Sequence, residues 1–371
     1  MRQSGKARWK LSAMLGALAV TAIGAGAVRQ ADACTAITLG AIDGSYIQAR
    51  TQEWGAFDLN SNVLVTPRDM EFQSKALDGS QGLSWTSKYG VVGLDLFNLR
   101  HYADGLNEQG LTVSVLFLPG TTEFPTYDPE LSQQSIDPAD LAMWLLTSFA
   151  NIDEVRAELP NVQISPRPMP ALDNTIPPIH WLISDATGNT VVVEYYDKEL
   201  HIFDNPVGVL TNSPEFPWHL TNLRNYIGLS AAPHDPIEVG DLNLEPLGVG
   251  TGMLGLPGDF SPPSRFVRAV ALRNTARPLS DGEDAMSEAF RILNSFDIPI
   301  GATDVPGMDI IGSTQWTTVS DSKALNYYYT TQFNSRVRLV DLTKVDFTKE
   351  DFTIVPIDAE PKQDTEEVVF N

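Results

Sequence analysis

A single cysteine, Cys34, stands among the 371 residues of the chain. No disulfide can form within the chain, so the fold depends on a packed core rather than on covalent cross-links. The composition suits such a core, because 43% of the residues are hydrophobic and 19% are charged. These proportions exclude a mostly disordered, collagen-like or multi-span membrane protein.

The chain is strongly acidic, with 47 acidic and 25 basic residues and a net charge of −22. Such a surface repels phosphate backbones, so we exclude a nucleic acid as the partner and expect a small-molecule substrate. The histidines are scattered without the spacing of metal ligands, and neither a P-loop nor a strand-linked dinucleotide motif occurs. The sequence therefore predicts neither a metal nor a cofactor.

Residues 1–33 have the features of a cleaved export signal. Four basic residues precede an uncharged stretch over 11–28, and ADA at 31–33 fits the small-residue pattern of a cleavage site. A retained membrane helix is disfavoured, because glycines break the stretch and Arg29 interrupts its end. We expect a periplasmic or secreted protein that is free of the membrane after cleavage. Its residues 34–371 would form one domain with a net charge of −26.

Cleavage after Ala33 would make Cys34 the first residue of the mature protein. A lone cysteine is most often a small buried hydrophobic residue, and a lipoprotein also matures to an amino-terminal cysteine. Lipoprotein signals, however, normally carry leucine three residues before the cysteine, where this chain has Ala31. The other interpretation is an amino-terminal nucleophile, whose thiol attacks while its α-amine, with a pKa of about 7.7–8.0 in peptides, acts as the base.

Hydrophobic periodicity predicts runs of strands separated by helices. A Gly/Pro-rich connection over 229–263 is long enough to be a functional loop, and an acidic tail begins at Asp358. Strands in runs with hairpin connections favour antiparallel sheets covered by helices, so we predict an α+β fold, a four-layer αββα sandwich. The predicted strands are 34–39, 46–50, 63–66, 90–96, 111–118, 179–184, 190–196, 199–204, 207–211, 313–320, 324–333 and 337–342, and the predicted helices are 137–150, 152–159, 218–227, 264–274 and 281–295.

The first predicted hairpin brings Arg50, Gln52 and Glu53 back towards the thiol of Cys34. A guanidinium beside a thiol stabilises the thiolate, and a carboxylate can hydrogen-bond to an α-amine. The same spacing also fits an ordinary Arg/Glu pair beside a turn, and the spacing alone does not decide between the two.

Asn212 ends a predicted strand in a polar turn. Its amide is suited to donate to a developing oxyanion, but the same residue type is common in Asx turns. Further along, Arg265 and Arg268 lie in one predicted helix, and either could face a site or solvent.

Several segments match the motifs of a known family. RTQEW at 50–54 is similar to the family's Arg-Thr-Met-Asp pattern, with Gln52 and Glu53 in place of methionine and aspartate. GLNEQGL at 105–111 is similar to Gly-Met-Asn-Glu-Lys-Gly-Leu, and LTNSP at 210–214, WHLTNL at 218–223 and SRFVR at 264–268 follow in order. Over essentially the whole mature chain, the sequence resembles the choloylglycine hydrolase family of amino-terminal nucleophile amidases, which includes penicillin V acylases and conjugated bile salt hydrolases.

The resemblance implies a catalytic set around the scissile amide. It comprises a nucleophile, two arginines, a carboxylate that holds the α-amine, and two oxyanion donors. These are Cys34, then Arg50 and Arg265, then Glu53, and finally the Phe117 backbone N–H with the Asn212 side chain. Trp54, Phe57 and Phe117 are implied to bind substrate.

The family resemblance implies cleavage of linear N-acyl amides through a thioester. Penicillin V acylases carry an aromatic residue at the position of Phe117, where bile salt hydrolases have asparagine. With the export signal, this points to the Gram-negative acylases of penicillin V and N-acyl homoserine lactones, which are typically homotetramers. The alternatives are a conjugated bile salt hydrolase and, from another class, an inactive periplasmic or lipid-anchored binding protein. The preferred acyl group stays open.

Overall fold

The computed structural model describes residues 33–54, 58–303 and 312–370, and these residues form twenty strands and five α-helices. The predicted export signal therefore lies almost entirely outside the described residues. The elements of the first half are β1 (Thr35–Gly40), β2 (Tyr46–Trp54), β3 (Asn62–Thr66), β4 (Glu71–Lys75), β5 (Gln81–Thr86), β6 (Val91–Asp95), β7 (Tyr102–Asn107), β8 (Thr112–Phe117), β9 (Ser135–Ile136), α1 (Pro138–Ser148), α2 (Ile152–Glu158) and β10 (Gln163–Ile164).

The second half of the chain alternates strands and helices in the same way. Its elements are β11 (Ile179–Ser184), β12 (Thr190–Tyr196), β13 (Glu199–Asp204), β14 (Val209–Leu210), α3 (Phe216–Asn222), β15 (Ile237–Val239), β16 (Leu242–Leu244), α4 (Pro262–Thr275), α5 (Gly282–Leu293), β17 (Ser313–Asp321), β18 (Asn326–Thr331), β19 (Arg338–Asp341) and β20 (Thr353–Pro356).

Two antiparallel sheets form the centre of the fold. One has six strands in the order β14-β1-β2-β17-β18-β19, and the other has eight in the order β13-β12-β11-β8-β7-β6-β3-β20. Helices α4 and α5 pack on the first sheet, through β1, β2 and β17, and α1 packs on β7 and β8 of the second. The sheets face each other, so the molecule has the four layers of an αββα sandwich, which confirms the predicted fold class.

The middle strands lack a strict alternation of apolar and polar residues because both of their faces are covered. Every residue of β11 is buried, and the sequence predicted its bounds, and those of β12 and β13, correctly. Helix α1 begins where the sequence signals it: the Asp137 side chain accepts from the Ala139 N–H, and Pro138 occupies the first turn.

The interface between the sheets also contains buried polar groups. The Gln48 amide on β2 donates to the Ser114 hydroxyl on β8 at 2.9 Å, and the Tyr327 hydroxyl on β18 donates to the Asp104 carboxylate on β7 at 2.8 Å. These bonds join the two sheets and satisfy side chains that would otherwise be buried without partners.

Some elements differ from the sequence prediction. The predicted helix 218–227 begins earlier, at Phe216, and its α-helical part ends at Asn222. The strand predicted over 207–211 is shorter, and the connection 229–263 contains the β15–β16 hairpin and a 3₁₀ turn. Strands β4, β5, β7, β9, β10 and β20 were not predicted either. In the described ranges, no helix is both long enough and apolar enough to cross a membrane.

Candidate active site

The first hairpin places the cysteine beside an arginine. Strand β1 pairs with β2 so that Thr35 faces Thr51 and Ala36 faces Arg50. One step further along this register, Cys34 lies opposite Gln52 and shares a face of the sheet with Arg50. The Arg50 Nη2 donates to the Cys34 sulfur at 3.1 Å, and both side chains are buried. The contact that the sequence left undecided is therefore present.

The remaining donors of Arg50 bind neutral oxygens. Nη1 donates to the carbonyls of Ala103 at 3.2 Å and Val115 at 2.6 Å, Nε donates to the Thr51 carbonyl, and Nη2 also donates to the Gln52 amide oxygen. Within the described part of the chain, no carboxylate lies within ion-pair distance of this guanidinium. A buried cation held by neutral oxygens is poised to stabilise an anion at its remaining contact, the sulfur of Cys34.

Arg265 reaches the same cysteine from the other side of the sheet. It lies on α4, where its Nη1 donates to the Cys34 carbonyl and, at 2.8 Å, to the Thr35 hydroxyl. Burial lowers the pKa of Arg265 to about 10, against the opposing effect of the negative charges of Glu53 and Cys34. Arg265 therefore stays charged at neutral pH and fixes the backbone on which the thiol is carried.

Asn212 is oriented by two partners that leave its amide no freedom to flip. Its Oδ1 accepts from Arg265, which has donors only, and its Nδ2 donates to the Phe117 carbonyl at 2.7 Å. The amide nitrogen carries two hydrogens, so a second donor remains beyond the one that Phe117 binds. The side chain is buried and holds these two contacts instead of an Asx turn.

The backbone N–H of Phe117 points away from β11 and forms no hydrogen bond with that strand. The next residue, Leu118, donates its N–H to the Pro178 carbonyl at 2.7 Å. Because neighbouring residues of a strand direct their N–H groups to opposite sides, the Phe117 N–H faces away from β11. Strand β7 pairs with β8 only as far as Ser114, so that ladder has also ended there.

Glu53 lies on the opposite face of β2 from Arg50, because successive side chains of a strand alternate. Its Oε1 accepts from the Thr314 hydroxyl at 2.9 Å, and its Oε2 is buried without a hydrogen-bond partner among the described residues. Burial raises the pKa of Glu53 to about 7, although the charge of Arg265 opposes this effect. The described residues thus leave one oxygen of this carboxyl group without a hydrogen-bond partner.

Aromatic side chains close one end of the site. The ring of Trp54 lies 5.7 Å from that of Phe97 and 5.5 Å from that of Phe117, centre to centre, and Trp54 is buried. Next to them lies a narrow, mostly apolar cavity of about 50 Å³. Phe57 lies outside the described residues. The cavity is lined by Gln52, Leu96, Phe97, His101, Tyr102, Val115, Phe117, Pro138, Ala139, Met169, Leu172, Pro177 and Ile179.

The structure also resolves what periodicity left open on α4. Arg268 does not join the site, because its Nη1 donates to the carbonyls of Pro257 and Asp259. Sequence reasoning missed Thr35 and Thr314, which hold Arg265 and Glu53. Neither threonine had a sequence signal, since a hydroxyl on a buried strand is common. In the described residues, no group of histidine, cysteine and acidic side chains is arranged to hold a metal ion.

Comparison with known proteins identifies the family. Residues 34–363 match the sequence model of the linear amide C–N hydrolases, choloylglycine hydrolase family, so the match begins at Cys34. The chain belongs to the choloylglycine hydrolase family. It is therefore a hydrolase of the C–N bond in linear amides, as the sequence resemblance implied.

Both branches of this family are among its relatives. A bile salt hydrolase/transferase from Clostridium perfringens is 34% identical over 84% of this chain and 93% of its own length. Structures of two variants of conjugated bile acid hydrolase from the same species superpose with a TM-score of 0.78 and 30% identity, over 91% of this chain and 100% of theirs. The penicillin V acylase from Agrobacterium tumefaciens superposes with a TM-score of 0.72 and 27% identity, over 88% of this chain and 92% of its own.

Proposed function

We propose that this protein is an amino-terminal cysteine amidohydrolase that cleaves linear N-acyl amides through a thioester acyl-enzyme. The observation that carries the proposal is the 3.1 Å contact between the Arg50 guanidinium and the Cys34 sulfur. A second support is that the two variants of the Clostridium protein replace a cysteine and an arginine that are sixteen positions apart. Cys34 and Arg50 have the same separation.

The proposed reaction begins with removal of residues 1–33, which frees the α-amine of Cys34. The sulfur attacks the amide carbonyl, and the α-amine takes the thiol proton and passes it to the leaving amine. The second N–H of Asn212 Nδ2 and the Phe117 N–H stabilise the tetrahedral oxyanion. Water, activated by the same α-amine, then hydrolyses the thioester and releases the acid.

Glu53 is suited to hold the α-amine in this scheme. Continuing the β1–β2 register places Glu53 opposite position 33, next to the bond that processing cleaves. Its unpartnered Oε2 can accept a hydrogen bond from the new amine, and a positive charge there would favour the ionised carboxylate. Arg265 keeps the Cys34 carbonyl and the Asn212 side chain in fixed positions.

For the acyl group, we propose a penicillin V acylase-like preference, with N-acyl homoserine lactones as a second substrate of the same kind. The cavity next to Gln52 and Phe117 is flanked by aromatic rings. Its volume of about 50 Å³ is small beside the roughly 300–1,000 Å³ of typical ligand pockets, so it suits a flat ring or a thin chain. A steroid would require the walls to move.

A conjugated bile salt hydrolase is the second candidate, and the relatives favour it. The Clostridium bile salt hydrolase/transferase is 34% identical to this chain, whereas a penicillin V acylase from Pectobacterium atrosepticum is 28% identical. The two candidates share the whole Cys34 mechanism and differ only in the acyl group. An inactive binding protein on the same fold is disfavoured, because Cys34, Arg50, Asn212 and Arg265 are assembled in contact.

We further propose an exported homotetramer. The export signal predicted over residues 1–33 supports export, and the exposed apolar side chains of the β15–β16 hairpin support assembly. Ile237 and Leu242 are 59% and 60% exposed, which is typical of a surface that another subunit covers. Size-exclusion chromatography with light scattering of the processed protein tests this, and a monomer at micromolar concentration would contradict it.

A substrate panel tests the proposed function. Purified processed protein is incubated with penicillin V, N-acyl homoserine lactones and glycine-conjugated bile salts, and the released amine is scored. We expect turnover of penicillin V that the Cys34→Ala variant lacks while remaining folded. Turnover by Cys34→Ala at the wild-type rate would refute the nucleophile, and a strong preference for bile salts would refute only the acyl preference. A diacylglyceryl adduct on Cys34, seen by mass spectrometry, would show a lipoprotein instead.

A further inference from the structure

Two histidines converge on the turn that carries Asn212. The Nε2 of His219 lies 2.8 Å from the Asn212 carbonyl oxygen, and the Nε2 of His180 lies 3.0 Å from the Thr211 carbonyl oxygen. A carbonyl oxygen only accepts hydrogen bonds, so each Nε2 carries its proton and donates. The peptide units on both sides of the Asn212 α-carbon are thus held by side chains from different elements.

Glu194 links His180 to the helix that carries His219. Its Oε1 lies 2.9 Å from the Nδ1 of His180, and both side chains are fully buried. The same carboxylate accepts from the Phe216 N–H, at 3.2 and 3.0 Å to its two oxygens. Phe216 is the first residue of α3, and α3 carries His219. We call His180, Glu194 and His219 the carbonyl clamp.

His219 is itself fixed by packing. Its ring stacks on that of Phe266 at 4.6 Å with an angle of 16° between the planes, and Phe266 follows Arg265 on α4. Burial lowers the pKa of His219 to about 4, so the ring is neutral at neutral pH. Its Nδ1 has no hydrogen-bond partner among the described residues. The ring therefore serves a single polar contact, the Asn212 carbonyl.

We propose that the carbonyl clamp positions Asn212 for catalysis, by fixing the backbone from which its side-chain amide reaches the oxyanion. Arg265 and Phe117 fix the orientation of the Asn212 side-chain amide, but they do not fix the position of its α-carbon. The clamp does, because it holds the carbonyls of residues 211 and 212. Oxyanion donors act only when preorganised, and a displacement of about 1 Å can cost about 100-fold in rate. His180 and His219 are positioning residues and do not touch the reacting atoms.

The test compares three substitutions of His219, to Gln, Leu and Asn, in the processed enzyme. The rates are measured with the substrate that gives turnover. In His219→Gln the amide nitrogen can replace Nε2 as the donor, so we expect kcat within about threefold of wild type. In His219→Leu the donor is lost, and we expect kcat to fall at least about tenfold while KM changes by less than about twofold. His234→Leu is the control, because His234 is exposed in the connection 229–263 and contacts neither Asn212 nor the clamp residues.

A double-mutant cycle separates positioning from a general structural role. If His219 acts through Asn212, His219→Leu should cause no further loss of kcat in an Asn212→Ala background. Losses that multiply would overturn the proposal, as would wild-type kcat in folded His219→Leu. His219→Asn covers the case that the leucine variant fails to fold, because its amide is one bond too short to reach. Equal kcat values for the Asn and Gln variants would also overturn the proposal.

The inference rests on the proposed role of Asn212, and its failure is distinguishable from a failure of that role. Full activity in Cys34→Ala would refute the proposed function whatever the His219 variants do. Loss of activity in Cys34→Ala and in Asn212→Ala, with wild-type behaviour in all His219 variants, would refute the carbonyl clamp alone.

Discussion

Replacing Arg50 with methionine removes the guanidinium that contacts the Cys34 sulfur but keeps a long side chain in the space between the sheets. The contact is 3.1 Å and buried, and no carboxylate of the described residues lies within ion-pair distance of the guanidinium. Burial raises the pKa values of Asp104 and Glu53 and the charge of Arg50 opposes this effect, so part of the loss should fall on these carboxylates and the rest on the thiolate. Since Cys34 is the only cysteine of the chain, every thiol reaction of the protein reports on this site.

The expected change in the thiolate population of Cys34 follows from the interaction energy of two charges. Unit charges about 4 Å apart interact by about 4 kcal/mol at an effective dielectric constant of about 20. That value corresponds to a change of about a thousandfold in the thiolate population at a given pH. Water that enters the space left by the guanidinium would restore part of the lost stabilisation of the thiolate. We therefore expect the thiolate population of Arg50→Met at neutral pH to fall about 100-fold.

The assay is the rate of alkylation of processed protein by iodoacetamide between pH 6 and pH 9, followed by intact mass. Arg268→Met is the matched control, since Arg268 lies on α4 but binds the Pro257 and Asp259 carbonyls. We expect the control to react at the wild-type rate. An Arg50→Met rate within about threefold of wild type across this range would show that Arg50 does not stabilise the Cys34 thiolate.

Three further outcomes follow from the geometry. Asn212→Ala should lower kcat by about 100- to 1,000-fold in steady-state assays with KM little changed, because one oxyanion donor is worth about 3–4 kcal/mol; an effect confined to KM would contradict this. The pKa of His219 is lowered from 6.5 to about 4 in the folded protein. Between about pH 4 and pH 6.5, the histidine is therefore protonated in the unfolded state but neutral in the folded state. Urea unfolding should show stability that falls by up to about 3 kcal/mol as the pH drops from about 6.5 to about 4, and His219→Gln should flatten this decline; an equal decline in both proteins would contradict it. Phe117→Ala should enlarge the narrow cavity and raise the ratio of bile salt to penicillin V kcat/KM at least about tenfold, whereas an unchanged ratio would show that this ring does not limit the acyl group.

The elements that the sequence predicted well are those whose burial matches their local pattern. Strand β11 is mostly apolar and fully buried, and α1 has a capping aspartate followed by proline. Strand β7 was missed because its sequence, YADGLN, contains residues that are rare in strands, and it is buried through its place between β6 and β8. Strand β4 was missed because most of its residues are at least partly exposed and polar.

The site residues also differ in how far the sequence alone could predict them. The predicted processing point and the hairpin made Cys34 and Arg50 candidates, and the polar turn made Asn212 one, but each also had an ordinary structural interpretation, and only the family resemblance favoured the catalytic roles. The choice between Arg265 and Arg268 depended on how α4 docks on β1, which is a property of tertiary packing. His219 stands in the motif WHLTNL, but its role in the carbonyl clamp could not be predicted, because His180 and His219 bind backbone carbonyls, and these leave no trace in the side-chain sequence. The export signal and the tetramer stay predictions.

Trapping the acyl-enzyme is the most direct test that Cys34 is the nucleophile. Processed protein is mixed with excess penicillin V, quenched in acid within the first turnover and digested, and its amino-terminal peptide is measured by mass spectrometry. We predict a peptide that begins at Cys34 and carries the phenoxyacetyl group on sulfur, and that loses it to hydroxylamine. An active enzyme whose amino terminus lies elsewhere, or whose acyl group is bound to another residue, would contradict the account.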